Sequence, residues 1–161
     1  MFRTALLFLI LCLSEPINVL GQIQQELKGT IVRIIDGDTM VLLDSLKKQH
    51  RIRLYGIDCP ENGQDFAQVA KRYTSSLTFQ KEVIAHVLYR DRYKRAVAKV
   101  FSDDVEVNLA LLEEGLAWHH LAYDQSDLYA KAQKKAQKRK RGLWIQIKPT
   151  APWEYRKIGR K

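Results

Sequence analysis

The chain has little cysteine, proline or glycine, few acidic residues for its basic ones, and no long apolar run. Two of its 161 residues are cysteine, four are proline and eight are glycine. The apolar run Ala5 to Leu13 is nine residues, whereas a helix needs about 20 to cross a bilayer. No stable membrane span is expected. The same segment has the marks of an export signal: a positive start at Met1-Phe2-Arg3, the apolar stretch, and small residues at Val19 and Gly21. Residues 1–21 are expected to be removed, leaving residues 22–161 as one domain, secreted or periplasmic. Two other readings are weaker. A lipoprotein anchor through Cys12 wants a small residue where Leu11 stands, and a buried N-terminal helix does not explain the flanks.

Loss of that segment leaves Cys59 as the one cysteine. An internal disulfide is thereby excluded, so stability must come from packing. No Cys-His arrangement marks Cys59 as a nucleophile. The histidines His119 and His120 suggest zinc, yet adjacent side chains point different ways and no HExxH or cysteine pair accompanies them. Asp36-Gly37-Asp38 suggests an EF-hand, but the twelfth loop position, where a bidentate glutamate belongs, is Lys47.

What the chain has is positive charge. Lys and Arg number 27 against 18 Asp and Glu, a net charge of +9. Removal of the signal takes one cation, Arg3, and one anion, Glu15, and so leaves that value unchanged. Such a surface suits a polyanion, whether nucleic acid, acidic lipid or polysaccharide.

Residues 27–57 read as a three-stranded meander. Ile31 to Ile35, Val41 to Leu43 and His50 to Tyr55 are its strands, and Asp-Gly marks the first turn. Phe66, Val69, Ala70, Tyr73 and Leu77 recur at helical spacing over 65–79. Val83 to Leu88 and Ala96 to Phe101 are two further strands, followed by a short helix over 107–114 with Gly115 at its end. A last helix is expected over 126–141, capped by Ser126 and stopped by Gly142. Its apolar stripe is Leu128, Tyr129, Ala132 and Ala136. Seven cations in residues 131–141 cover its other faces; they suit the helix dipole or a polyanion equally. The tail from Trp144 shows no periodicity, although its aromatic residues could fold back on the domain. Neither an internal repeat nor a second domain is apparent. The expected fold is α+β and mainly β: a five-stranded OB-type Greek-key barrel with about three helices.

Three segments place polar residues at strand ends: 35–39, 53–61 and 91–95. Together they hold what chemistry on an anionic phosphodiester requires. Carboxylates Asp38 and Asp58 suit a hard cation at roughly 2.3–2.6 Å, and Arg53 and Arg95 suit bidentate contact with phosphoryl oxygens. Glu61 remains to orient and deprotonate water. Singly, each has a plain structural reading: turn chemistry for Asp36-Gly37-Asp38, solvent exposure for Arg53, a turn cap for Asp58, pairing with Asp91 for Arg95.

In order, Ile35-Asp36-Gly37-Asp38-Thr39, Ile52-Arg53-Leu54-Tyr55-Gly56-Ile57-Asp58-Cys59-Pro60-Glu61 and Asp91-Arg92-Tyr93-Lys94-Arg95 resemble the staphylococcal (micrococcal) nuclease family, or thermonucleases. Val107-Asn108, Glu114-Gly115-Leu116-Ala117 and Gly142-Leu143-Trp144 extend the resemblance over roughly residues 27–155. It implies an OB-fold with three helices and Ca²⁺-dependent cleavage of DNA and RNA to 3′-phosphate products. By matching positions, it implies Asp38 and Asp58 as metal carboxylates, the Cys59 carbonyl as a further ligand, and Thr39 acting through solvent. It likewise implies Arg53 and Arg95 as phosphate clamps, Glu61 as general base, and Arg92 and Tyr93 as substrate contacts. A monomer is expected.

Three positions depart from the family pattern. The stretch after Glu61 is short where the best-known member has a long mobile loop, Cys59 replaces threonine, and Lys94 replaces glycine. If that glycine has positive φ, lysine there costs roughly 1 kcal/mol and could shift Arg95. A non-catalytic nucleic-acid-binding module of the same fold is the alternative from another class. A cationic protein acting on membranes or acidic polysaccharide explains the lysines but leaves the three segments idle.

Overall fold

The computed structural model describes residues 24–158; the expected signal segment lies outside them. Strand β1 (Gln25–Asp36) is long enough to serve two neighbours. Its first half pairs antiparallel with β5 (Glu82–Arg90), and its second half pairs antiparallel with β2 (Thr39–Asp44). Register shifts between Ile31 and Arg33, and between Ile34 and Asp36, bend the strand as bulges do. Gly29 sits where the two pairings overlap, and a Cβ there would collide with the Leu43 carbonyl. A bare backbone at that corner lets the sheet curl.

Strand β3 (Gln49–Leu54) follows β2, and β6 (Ala96–Ser102) follows β5. The barrel closes where β3 and β6 pair in parallel, Ile52 opposite Ala96 and Leu54 opposite Ala98. Five strands in the order β3-β2-β1-β5-β6 therefore form the closed barrel that the sequence predicts. Ile31, Met40, Leu42, Ile52 and Val100 are fully buried inside it.

The first helix, α1 (Ala67–Thr78), packs on β1 through Ala70, Thr74 and Thr78. Helix α2 (Val107–Glu113) adds Leu111 and Leu112 to the core. Helix α3 (Asp127–Lys138) begins at the Ser126 cap as expected but stops three residues short of Arg141. Tyr129, Ala132 and Ala136 are its buried stripe; Leu128, expected there too, is exposed.

Five short elements lie outside the sequence reading. Ile57–Asp58 (β4) pairs antiparallel with Trp118–His119 (β8), a two-residue ladder too short to leave a pattern; β7 (Val105–Glu106) is equally short. The tail, expected to be irregular, holds a 3₁₀ turn over Gly142–Ile145 and a fourth helix, α4 (Pro152–Ile158). Pro152 fits the first helical position because its φ is preset and its missing N–H is not needed. Seven residues are too few to display a 3.6 period. The tail aromatics do fold back: Trp153 packs edge-on against Trp118 at 5.7 Å and lies tilted against His120 at 4.8 Å. Among the described residues no helix is long and apolar enough to cross a membrane.

Candidate active site

The β1–β2 turn places Asp38 at one end of the barrel, facing inward. Its backbone N–H donates to Asp36 Oδ1 at 3.3 Å, an Asx-type turn. Beneath it Thr74 of α1 donates its hydroxyl to the Gly37 carbonyl at 2.6 Å. A Cβ at Gly37 would crowd Cys59 and Ala70, so glycine there lets the turn seat against the second segment. Asp38 is 2% exposed, and its oxygens are both used. Oδ2 accepts from the Cys59 backbone N–H at 2.6 Å, while Oδ1 accepts from the Thr39 hydroxyl at 3.1 Å and pairs with Arg53.

Arg53 leaves the end of β3 and bridges the two aspartates. One guanidinium nitrogen meets Asp38, and Nη2 meets Asp58 Oδ1 at 2.5 Å. Asp58 is fully buried in β4, held by the ladder to β8. Two carboxylates out of water stay ionised at acceptable cost only beside fixed cations. Arg53 supplies one of them.

Arg156 supplies the other, and sequence reasoning missed it. From α4 its Nη2 donates to Asp58 Oδ2 at 2.7 Å, and its Nη1 pairs with Glu61. Arg156 lies 98 residues beyond Asp58 in a tail without periodicity. The nearest sequence signal was the Pro152-Trp153 pair, which could anchor a short helix. Glu61 itself stands on the short loop after Pro60, its N–H bonded to Gln64 Oε1 at 2.8 Å.

Cys59 is 2% exposed, and burial pushes its thiol well above the ordinary range. A neutral, enclosed thiol is no nucleophile. His119 is buried and pairs with Asp124 at 2.8 Å, whereas His120 lies against Trp153 and Tyr123. The two point apart, as adjacency predicts.

The third segment forms a separate group. In the β5–β6 turn, Asp91 Oδ1 accepts from the N–H groups of Tyr93 and Arg95 at 2.9 and 3.0 Å. Asp91 Oδ2 accepts from Arg95 Nε at 2.7 Å. Burial works against the Asp91 charge, but the bonds from Arg95 outweigh it and hold the carboxyl below its usual range. Arg92 and Arg95 both lie over the exposed Tyr93 ring, at 4.8 and 5.4 Å. Arg95 therefore takes the plain reading weighed above: it pairs with Asp91, and no ion pair links it to Asp38 or Asp58. The β3–β6 pairing still brings its turn to the same end of the barrel, with Arg53 opposite Val97.

Among the described residues no three His, Cys, Asp or Glu side chains converge as a ready metal cage. The donors fit a hard cation in kind, since Asp38 and Asp58 offer only oxygen and share one guanidinium. Further ligands would have to come from backbone carbonyl and solvent.

Comparison with known proteins identifies the family. The family described as Staphylococcal nuclease homologue matches residues 51–146. An uncharacterized endonuclease of Haemophilus influenzae is 36% identical over 79% of this chain and 71% of its own length. One from Escherichia coli O157:H7 is 36% identical over 81% and 86%. The micrococcal nuclease of Shigella flexneri is 31% identical over 84% and 83%. With that match, and with a closed five-stranded barrel carrying the three segments, the chain belongs to the staphylococcal nuclease family and is a hydrolytic nuclease.

Proposed function

We propose that the protein is an exported, Ca²⁺-dependent nuclease that hydrolyses phosphodiester bonds of both DNA and RNA, leaving 3′-phosphate ends. The observation that carries this reading is the buried pair Asp38 and Asp58 astride Arg53, with Glu61 beside Asp58 through Arg156. Asp38, Asp58 and the Cys59 carbonyl would hold the cation, with Thr39 acting through solvent. Bound there, Ca²⁺ supplies positive charge for the phosphoryl oxygens.

The chain's own groups do the rest. Arg53, 19% exposed at its side chain, would turn from the two aspartates to grip a phosphoryl oxygen. Arg95 would release Asp91 to grip another, and Arg92 and Tyr93 would hold a neighbouring phosphate. Glu61 orients a water on phosphorus and takes its proton. The new bond is water oxygen to phosphorus; the bond to the 5′ oxygen breaks, and that oxygen leaves as a hydroxyl after taking a proton from solvent. Charge that builds on the phosphoryl oxygens meets guanidinium groups already fixed in place, which usually contributes most to such catalysis.

The exposed lysines of α3, among them Lys131, Lys134 and Lys138, suit a polyanionic substrate. Export rests on residues 1–21 alone. The test is digestion of DNA and of RNA at increasing Ca²⁺, with end-group analysis. Cleavage of both to 3′-phosphate ends, abolished by chelator, is expected. Full activity in excess chelator overturns the metal assignment, and binding without cleavage establishes the non-catalytic module instead. A mature N-terminus at Gln22 would establish signal removal; intact Met1 in the exported fraction would overturn it.

A further inference from the structure

The loop that carries Glu61 is covered by the tail. Gln64 Nε2 donates to the Thr150 carbonyl at 3.0 Å, and Gln146 Nε2 donates to Asp65 Oδ2 at 2.8 Å. A Cβ on Gly63 would lie 2.9 Å from the Tyr155 hydroxyl of α4. Trp153 anchors the same helix on Trp118 and His120. Arg156 is thus delivered to the site by a docked element, and its side chain is 38% exposed.

Its contacts are specific. Nη2 donates to Asp58 Oδ2 at 2.7 Å, Nη1 reaches Asp58 Oδ1 at 3.3 Å, and Nη1 also pairs with Glu61. With Arg53 on Oδ1, both oxygens of Asp58 are engaged by guanidinium. Among the described residues, the Glu61 carboxylate has Arg156 as its one ion-pair partner. A planar fork can bridge two carboxylates in this way; a lysine cannot.

We propose that Arg156 is a positioning residue that holds Glu61 in the site and shares Asp58 with the metal ion, so that its loss tightens cation binding while it lowers turnover. The inference rests on the calcium reading above. Charge explains the opposed signs. Asp38, Asp58 and Glu61 carry three negative charges against two positive from Arg53 and Arg156, which leaves one negative. A dication turns that into one positive, suited to a singly charged diester. Without Arg156 the cluster holds two negative charges, so it attracts the cation more and the diester less. Glu61 meanwhile loses the partner that fixes its direction.

The experiment is calorimetric titration of the mature chain with Ca²⁺, without nucleic acid, beside turnover on DNA, for the unsubstituted protein, Arg156→Gln and Arg156→Lys. For Arg156→Gln, Ca²⁺ affinity should rise about tenfold and turnover fall about tenfold or more, from the loss of a nearby like charge and of a fixed base. Arg156→Lys restores the charge without the fork, so its Ca²⁺ affinity should return towards that of the unsubstituted chain while turnover stays low. A staple that merely supports the fold predicts that affinity and turnover fall together in both variants, and that result overturns the proposal. So does a Gln variant with both values unchanged. Should the Gln variant not fold, the Lys variant decides: full turnover would overturn the positioning role. An unsubstituted chain that binds no Ca²⁺ overturns the calcium reading as well, whereas one that binds and cuts normally confines any failure to Arg156.

Discussion

Two groups of charges stand at the same end of the barrel, and they are built in opposite ways. Asp38 and Asp58 are 2% and 0% exposed, fixed by a turn and a ladder, and neutralised by arginines from two other elements. The 91–95 turn satisfies itself: the Asp91 carboxylate takes three hydrogen bonds from residues within four positions of it, while Tyr93 stands 60% exposed. A buried group of long-range partners suits chemistry that needs fixed charge. A local, exposed one suits contact with a substrate that arrives and leaves.

The largest effects should come from the buried group. Arg53→Ala or Glu61→Ala should lower turnover by about two to three orders of magnitude, the scale for losing one preorganised stabilising group. Both variants should still bind DNA. If either cuts at the normal rate, the division between the groups fails on its catalytic side.

Arg92→Ala should act on the other side. Removing one cation from the exposed turn should raise KM a few-fold with kcat retained, and should lessen the salt slope of binding by about one. A loss in kcat alone would move Arg92 into the buried group's class.

Acid should separate the groups by stability. Asp91 is held below its ordinary pKa in the fold. Its contribution is therefore fully present above the unfolded value of about 3.9 and is lost as pH falls through the lower folded one. Asp91→Asn should flatten that part of the stability curve. An unchanged acid limb would show that Arg95 gains nothing from the pair.

The sequence made the two groups unequally legible. The aspartates, Arg53 and Glu61 fall in two short segments bounded by Gly37, Gly56 and Pro60, so their convergence followed from turns and strand ends. Pairing of Arg95 with Asp91 was also readable, because the partners are four apart. Arg156 was not. A single arginine in a seven-residue helix leaves no periodic trace, and its partners lie 95 and 98 residues away. The two-residue β4–β8 ladder escaped notice for the same reason. Leu128 misled because a helical stripe narrower than expected is still compatible with its spacing.

The smallest effect, and the finest test of the exposed turn, concerns Lys94. It adopts φ 61°, the left-handed region in which a Cβ is strained and glycine is not. Its N–H closes the turn onto the Asp91 carbonyl at 2.9 Å, so the backbone has no freedom to relax without loss of that bond. Lys94→Gly should therefore raise stability by about 1 kcal/mol in chemical denaturation, less whatever entropy glycine adds to the unfolded chain. It also removes a cation beside Arg95, so affinity for DNA should weaken slightly even as the fold strengthens. Stability and binding moving in opposite directions would mark the turn as one that accepts strain to hold charge. A variant less stable than the parent would mean that the lysine side chain contributes more than its backbone costs.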